Sequence, residues 1–277
     1  MRISVISPVK NESDFIGFCL MSILPYAHEI IYACAKSTDG TDEILDYIKA
    51  KYAGERLILL RKPEYDFDVQ DMAAYNKSFN DCIAASTGEA VWFCHPDQIV
   101  INPKKIKDIQ PGPLAWYVNM ISFAGDYKTR ITKGRASAWK NIHMKKFGLH
   151  YFGGYGSVNE DFYHKDITGN AHDFHGMNFH KYPFRVADSG LTVHHYCELK
   201  AYKRRFEKMK ACLKTLYPRW TDERIVEVAT QHPRVTLEST TDAFGKFEFQ
   251  KSDESAPEVF ERYRSEFENV LGRKLVA

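Results

Sequence analysis

Four short apolar segments alternate with helical patterns in the first 94 residues of the chain. The segments are ISVIS at 3–7, EIIYAC at 29–34, LILL at 57–60 and AVWFC at 90–94. They are apolar runs rather than strict alternations of apolar and polar positions, which is typical of parallel strands buried on both faces. Their order predicts an α/β fold of Rossmann type, with a mainly parallel central sheet flanked by helices.

The polar residues that follow these strands are expected to meet at one edge of the sheet. Right-handed crossovers place the loops after parallel strands on the same side. Three polar segments come directly after strands, at residues 8–12, 36–41 and 95–97. Because open α/β sheets bind ligands at the carboxyl ends of their strands, we expect the functional site there.

Charge and composition exclude several classes of partner. The chain has 277 residues, and its 38 Lys and Arg nearly balance its 36 Asp and Glu, which argues against nucleic acid as a partner. No apolar segment reaches the ~18 residues of a membrane span, and the first residues lack signal-peptide features, so we expect a cytoplasmic protein. The six cysteines form no CxxC pair and are expected to be reduced. The 14% aromatic content suits sugar stacking as well as it suits the core.

His95-Pro96-Asp97, directly after the fourth strand, is the strongest candidate for chemistry. An imidazole and a carboxylate two positions apart can hold a divalent cation such as Mn²⁺. The competing interpretation is an Asp that only caps a turn or a helix. His194 and His195 supply further imidazoles, and because neighbours on a strand face opposite ways, at most one of them is expected to be a ligand.

Asn159-Glu160-Asp161, after a cluster of glycines, is a second candidate. A flexible loop that carries adjacent carboxylates suits a general base that must approach a hydroxyl. The alternative is a helix N-cap followed by acidic first-turn residues. The loop KSTDGT at 36–41 lacks both GxxxxGK and GxGxxG, so it is not a P-loop, and Thr41 or Asp42 can simply cap the next helix.

In their order along the chain, these motifs resemble the family-two glycosyltransferases of the GT-A fold. The matching segments, within residues 2–200, are ISPVKNE at 6–12, KSTDGT at 36–41, TGEAVWF at 87–93 after a helix with Asn80, HPD at 95–97 and NEDF at 159–162. The resemblance implies an inverting enzyme that takes a sugar from a UDP- or GDP-sugar. The acceptor would be a hydroxyl of a glycan or of a lipid-linked molecule.

The resemblance also implies a role for each matching residue. The donor nucleotide is expected to lie against a set of residues on the first two loops and the third helix: Pro8, Glu12, Lys36, Asp39 and Asn80. The metal site is expected to draw on a second set: His95, Asp97 and one of His194 and His195. Asp161 matches the carboxylate that deprotonates the acceptor hydroxyl.

Two residues depart from the family pattern. Ala35 stands where the family usually has an Asp that pairs with the uracil imide, so the base of the donor stays open. His95 stands in the place of the first Asp of Asp-x-Asp, which favours Mn²⁺ over Mg²⁺. These losses motivate an alternative function, a degenerate GT-A domain that binds nucleotide or glycan without turnover. A metal-dependent hydrolase built on the same histidines is a further alternative.

We expect three parts in the chain. Residues 1–103 would form the nucleotide-sugar-binding half of a GT-A domain, residues 104–197 its acceptor-binding half, and residues 198–277 a helical extension. A basic helix from about Glu198 to Leu216 suits peripheral contact with a membrane, and a solvated charged face is the competing interpretation.

Overall fold

A computed structural model describes residues 1–65, 72–133, 138–145, 149–152, 161–164, 186–198, 205–207, 209–210, 213–214, 217–236, 240–242, 245–252 and 256–275. The strands are β1 Ile3–Val9, β2 Glu29–Cys34, β3 Leu57–Leu60, β4 Ala90–Phe93, β5 Gln98–Val100, β6 Ala115–Ala124, β7 Thr129–Lys133, β8 Ala138–Met144, β9 Leu149–Phe152, β10 Asp161–His164, β11 Val186–Glu198, β12 Thr240–Asp242 and β13 Gly245–Lys251. The helices are α1 Ile16–Ile23, α2 Thr41–Ile48, α3 Met72–Ala85, α4 Asp222–Gln231, α5 Pro233–Thr236 and α6 Glu258–Leu271, and short helical turns span Lys49–Ala53, Gly54–Arg56, Pro63–Tyr65 and Pro103–Asp108.

The central sheet begins as a parallel sheet and continues in mixed directions. β1 pairs in parallel with β2 and with β4, and β2 pairs in parallel with β3. β8 then joins β4 and β6 in antiparallel fashion. β11 runs parallel to β6 and antiparallel to β5. The predicted α/β class, with a largely parallel central sheet flanked by helices, is confirmed.

Both faces of the parallel strands are buried, which explains their unbroken apolar character. Val5 and Ile6 are neighbours on β1, and each has no exposed surface, yet they belong to different apolar clusters. Val5 packs in the cluster that α1, α2 and α6 cover, whereas Ile6 packs with Tyr75 and Phe79 of α3. Period-two projection therefore buries every residue of such a strand.

The second half of the chain differs from the prediction in two places. β11 extends to Glu198, which pairs with Ala124, so the predicted long helix does not begin at Glu198. Helical backbone is present at 205–207, 209–210 and 213–214, inside that predicted helix.

Residues 198–277 also contain strands, although the sequence predicts only helices there. β13 pairs antiparallel with β7, and β12 pairs with β13. The segment GKFEFQK at 245–251 alternates polar and apolar residues, a period-two signal that outweighs the helical pattern around it. The predicted last helix is present as α6. In the described parts of the chain, no helix combines the length and the apolar character needed to cross a bilayer.

Candidate active site

The turn after β1 and the loop after β2 are joined by hydrogen bonds between side chains and backbone amides. The Asn11 amide donates to Ser37 Oγ (3.0 Å), and the Thr38 amide donates to Asn11 Oδ1 (2.8 Å). The Glu12 amide donates to Thr41 Oγ1 (2.7 Å). Asn11 has a left-handed backbone (φ 55°), a conformation that Asn tolerates better than most residues. The two segments thus form one connected surface at the carboxyl edge of the sheet.

Asp39 ties the same two segments together through both of its carboxylate oxygens. Oδ2 accepts hydrogen bonds from the amide (3.1 Å) and hydroxyl (2.9 Å) of Ser13, and Oδ1 accepts from the amide (3.1 Å) and hydroxyl (2.6 Å) of Thr41. Burial alone raises the pKa of Asp39, but these hydrogen bonds outweigh it and hold the pKa below its usual value. Asp39 therefore fixes the conformation of the loop against which the nucleotide is expected to lie.

The other residues expected near the nucleotide lie at the same edge. Pro8 is buried near the end of β1, beside Ala33 of β2. Glu12 is buried at the turn after β1, and Lys36 is exposed at the start of the loop after β2. Lys36 is therefore the cation of this set that is accessible to an anionic ligand from solvent.

Asp97 and His195 meet beside the end of β4. Asp97 Oδ1 lies 3.4 Å from His195 Nε2, and both side chains are about 95% buried, with exposed fractions of 5% and 6%. The ring centroids of His195 and His95 are 5.9 Å apart, and the ring planes meet at 28°. The Tyr196 amide donates to the Asp97 carbonyl (2.9 Å), which fixes β11 against this turn. The structure thus brings His195 to the turn that carries His95 and Asp97, about a hundred positions earlier in the sequence.

Gln98 holds the backbone of the His95 turn, a role that the sequence does not predict. The His95 amide donates to Gln98 Oε1 (3.1 Å), and the Gln98 amide donates to the His95 carbonyl (3.0 Å). The side chain of Gln98 has no exposed surface. No pattern in the sequence distinguishes this glutamine from an ordinary polar residue at the start of a strand.

The donor atoms at this turn are of the type that Mn²⁺ accepts. A carboxylate oxygen and imidazole nitrogens form a mixed ligand set. Such a set favours Mn²⁺ over Mg²⁺, because Mg²⁺ prefers oxygen ligands alone. Within the described residues, no group of three or more His, Cys, Asp or Glu side chains is already gathered around one point as a metal site. Asp97 and His195 could therefore supply two of the ligands of a cation, and His95 lies beside them.

His194 projects from the opposite face of β11 into the apolar core. Its Nδ1 lies 3.1 Å from the hydroxyl of Tyr196, and its ring is 4.8 Å from that of Phe123. Burial, and then the positive charge of Arg130, lower the pKa of His194 to about 4. His194 is thus a neutral core residue at pH 7, and the structure brings His195, not His194, to Asp97.

Acidification is expected to destabilise the protein in part through His194. Its pKa is 6.5 in the unfolded chain and about 4 in the folded one, so the unfolded state binds more protons between these values. Stability should therefore fall as the pH drops from 6.5 to 4, by up to about 3 kcal/mol from this group. Urea unfolding at several pH values measures it, and His194→Phe should show a shallower slope. Equal slopes in both proteins would contradict the assignment.

Asn80, which the resemblance implies lies near the nucleotide, hydrogen-bonds through its side-chain amide to the backbone of β9. Asn80 Oδ1 accepts from the Tyr151 amide (2.9 Å), and Nδ2 donates to the Tyr151 carbonyl (3.1 Å) and to the Asn76 carbonyl (2.8 Å). The ring of Tyr151 stacks on Phe79 of α3 at 3.9 Å. Asn80 therefore anchors β9 to α3.

The same anchor supports the strand that carries the predicted base. β9 pairs with β10, and Asp161 is the register partner of Phe152, next to Tyr151. The backbone of Asp161 opens β10, while its side chain and residues Asn159 and Glu160 lie outside the described residues. The contacts from α3 to β9, and the pairing of β9 with β10, thus fix the position of the Asp161 backbone.

Residues 4–111 match the family model described as glycosyl transferase family 2. The matched segment contains β1 to β5 and the helices between them, together with the joined loops and the turn that carries His95 and Asp97. This match confirms the family-two resemblance for the motifs between residues 6 and 97, whereas NEDF at 159–162 lies outside the matched segment.

Individual relatives are more distant. Poly(ribitol-phosphate) beta-glucosyltransferase of Bacillus spizizenii is 26% identical over 140 residues, which are 49% of this chain and 19% of that protein. The match spans about a fifth of the length of this curated relative. S. aureus TarS 1–349 in complex with UDP-GlcNAc is 14% identical with a TM-score of 0.45, covering 84% of this chain and 73% of that one. Glucosyl-3-phosphoglycerate synthase from Mycobacterium tuberculosis, in complex with Mn²⁺, UDP and phosphoglyceric acid, is 16% identical with a TM-score of 0.43, covering 79% and 78%.

Proposed function

We propose that this chain transfers a sugar from a nucleoside-diphosphate sugar to a hydroxyl of a glycan or other acceptor, with inversion. The observation that carries the proposal is the buried Asp97 and His195 pair, at the same sheet edge as the joined loops after β1 and β2. Asp97 and both loops belong to the segment that matches the family-two model. A carboxylate beside an imidazole, together with two polar loops at the carboxyl edge, suits a ligand that carries phosphates through a bound cation.

Asp97 and His195 are the residues that would hold a divalent cation, with His95 adjacent. When bound, such a cation stabilises the negative charge that develops on the leaving diphosphate. Hydrogen bonds fix the backbone of this turn: the Tyr196 amide donates to the carbonyl of Asp97, and the His95 amide donates to the side chain of Gln98. Lys36, exposed on the loop after β2, would add positive charge on the side from which the phosphates enter.

Asp161 would act as the general base in a single displacement. The acceptor oxygen attacks the anomeric carbon from the face opposite the diphosphate, and a new carbon–oxygen bond forms as the bond to the leaving oxygen breaks. The acceptor proton passes to the Asp161 carboxylate, and the nucleoside diphosphate departs with the bonding electron pair. Asp161 begins β10, which pairs with β9, the strand that Asn80 anchors at Tyr151, and this position supports the role.

The acceptor and the location belong to the same proposal. The curated relative is named as a glucosyltransferase that acts on poly(ribitol phosphate), so a polyol phosphate is the first acceptor to test beside glycans and lipid-linked acceptors. We place the reaction in the cytoplasm, since Cys19, Cys34, Cys82 and Cys94 are free and buried, as in a reducing compartment. Contact with a membrane, if the acceptor requires it, would be peripheral.

A thermal-shift screen tests the donor and the metal together. The probes are UDP, GDP, UDP-glucose, UDP-GlcNAc and GDP-mannose, each with and without Mn²⁺. A nucleotide at about 100 times its Kd should raise the Tm by a few degrees, because ligand binding stabilises only the folded state. We expect the rise to require Mn²⁺ and release of nucleoside diphosphate to follow from the matching sugar nucleotide.

The same screen separates the proposal from its alternative. A Tm rise without hydrolysis or transfer would favour a degenerate domain that binds without turnover, which the changes at Ala35 and His95 motivate. No rise with any of the nucleotides, with or without Mn²⁺, would contradict the proposed function.

A further inference from the structure

The last helix packs against the helices that follow the first two strands. Phe260 and Phe267 of α6 are buried and meet Phe18 of α1 edge to face, at 4.6 and 5.3 Å. A Cβ on Gly17 would lie 2.6 Å from the ring of Phe267, so α6 approaches α1 as closely as a glycine permits. α6 is thus fixed to the elements that carry the turn after β1 and the loop after β2.

After α6 the chain turns back toward those loops in a short hook, residues 272–275. Gly272 ends the helix with a left-handed backbone (φ 62°). Inside the hook the Leu275 amide donates to Glu268 Oε1 (3.2 Å), and Lys274 Nζ lies 2.7 Å from Glu268 Oε2. The side chain of Leu275 is buried in the main apolar cluster, which holds the hook in place.

Arg273 of the hook contacts both loops with one guanidinium group. Its Nη1 lies 3.0 Å from Asp14 Oδ1, and its Nη2 donates to Ser13 Oγ at 2.6 Å. The same Nη2 donates to the backbone carbonyl of Asp39 at 3.4 Å. A planar group with several fixed donors makes such a set of contacts, which the single ammonium of a lysine does not reproduce.

The end of α6 also closes on the loop after β2 by direct packing. Gly40 has a left-handed backbone (φ 95°), and a Cβ at this position would clash with the side chain of Leu271. The loop is therefore held from two sides, by Leu271 against Gly40 and by Arg273 at Asp39 and Ser13.

We infer that Arg273 is a positioning residue for the nucleotide-sugar donor, a role that rests on the proposed function. Ser13 and Asp39, which Arg273 contacts, are the residues whose hydrogen bonds join the turn after β1 to the loop after β2. The guanidinium fixes the spacing of the two loops before the donor arrives. Loops ordered in advance cost the donor less binding free energy.

The test compares Arg273→Met with Arg273→Lys and with a matched control, Lys274→Met. Arg273→Met should raise amide hydrogen exchange in peptides that cover residues 10–14 and 36–41, measured without ligand. It should also weaken the binding of UDP or GDP, whichever gives the larger Tm rise, by about tenfold in the presence of Mn²⁺. Arg273→Lys should show an intermediate loss, since it keeps a charge opposite Asp14.

Lys274→Met removes the contact of the exposed Lys274 with Glu268, whose side chain is only 10% exposed, in the same hook. Lys274 is not among the residues that bond either loop, so this variant should match the wild type in both measurements. Wild-type exchange in the two loops of Arg273→Met would overturn the inference. So would faster exchange with unchanged nucleotide affinity. Failure of the wild-type protein to bind any nucleotide is a separate result, since it contradicts the proposed function before a variant is made.

Discussion

Replacing Asp97 by asparagine is expected to lower the transfer rate about a thousandfold, because it removes the buried carboxylate charge that a cation on the diphosphate requires. The amide has nearly the same shape, and it keeps an oxygen within reach of His195 Nε2, now 3.4 Å from the carboxylate. The overall fold should therefore persist. Initial rates of nucleoside diphosphate release, with Mn²⁺ varied, measure the loss.

Two further measurements make the Asp97 result specific. The Mn²⁺-dependent part of the nucleotide-induced Tm rise should disappear in Asp97→Asn, since the cation loses its anionic ligand. Asp108→Asn is the control, because Asp108 is exposed and pairs only weakly with Lys105 (3.4 Å) on the surface. Asp108→Asn should keep the wild-type rate. A metal-dependent Tm rise that survives in Asp97→Asn would show that the cation binds elsewhere.

Replacing Asp161 by asparagine is expected to lower kcat by a factor of about 10² to 10⁴, the usual contribution of a general base. An amide does not accept the acceptor proton as the new bond forms. Donor binding should stay within about twofold, because the base acts on the acceptor rather than on the nucleotide. Single-turnover transfer with saturating donor separates the chemical step from binding.

Glu160→Gln is the matched control for the base. Glu160 directly precedes Asp161 and also carries a carboxylate, so the substitution tests whether the base depends on position 161 alone. Glu160→Gln should keep transfer within a few-fold of the wild type. If Glu160→Gln loses transfer and Asp161→Asn keeps it, the base has been assigned to the wrong carboxylate.

The central sheet was predictable because its signal is local and dense. Strands such as EIIYAC bury neighbouring side chains in clusters on opposite faces, which requires an apolar residue at nearly every position. β13 was missed because it is a half-exposed strand beside helical patterns, and its alternation is only seven residues long. So short an alternation does not distinguish a strand from a helix or loop, because the strand forms only by pairing with β7, which is distant in sequence.

The sequence predicts the residue types of the candidate site and its place at the carboxyl edge of the sheet. It does not predict which side chains contact one another. Strand alternation separates His194 from His195, but only the packing of β11 on β5 decides that His195 meets Asp97. Asn80 has the side chain of a ligand contact, yet its amide matches the backbone of Tyr151, which is 71 positions away in sequence. Arg273 is a further case, since the loops that it contacts lie more than 230 positions earlier.

The hydrogen bonds between the first two loops set a rule for exchanging parts between proteins of this kind. Ser37 and Thr41 of the second loop accept hydrogen bonds from the amides of Asn11 and Glu12 in the first turn. Asp39 accepts a hydrogen bond from the hydroxyl of Ser13. A graft of residues 36–41 alone, made to change the donor, would leave the amides of the turn after β1 facing the wrong acceptors. Transplanting residues 10–14 together with residues 36–41 preserves the pairing, so the two discontinuous segments behave as one exchangeable cassette.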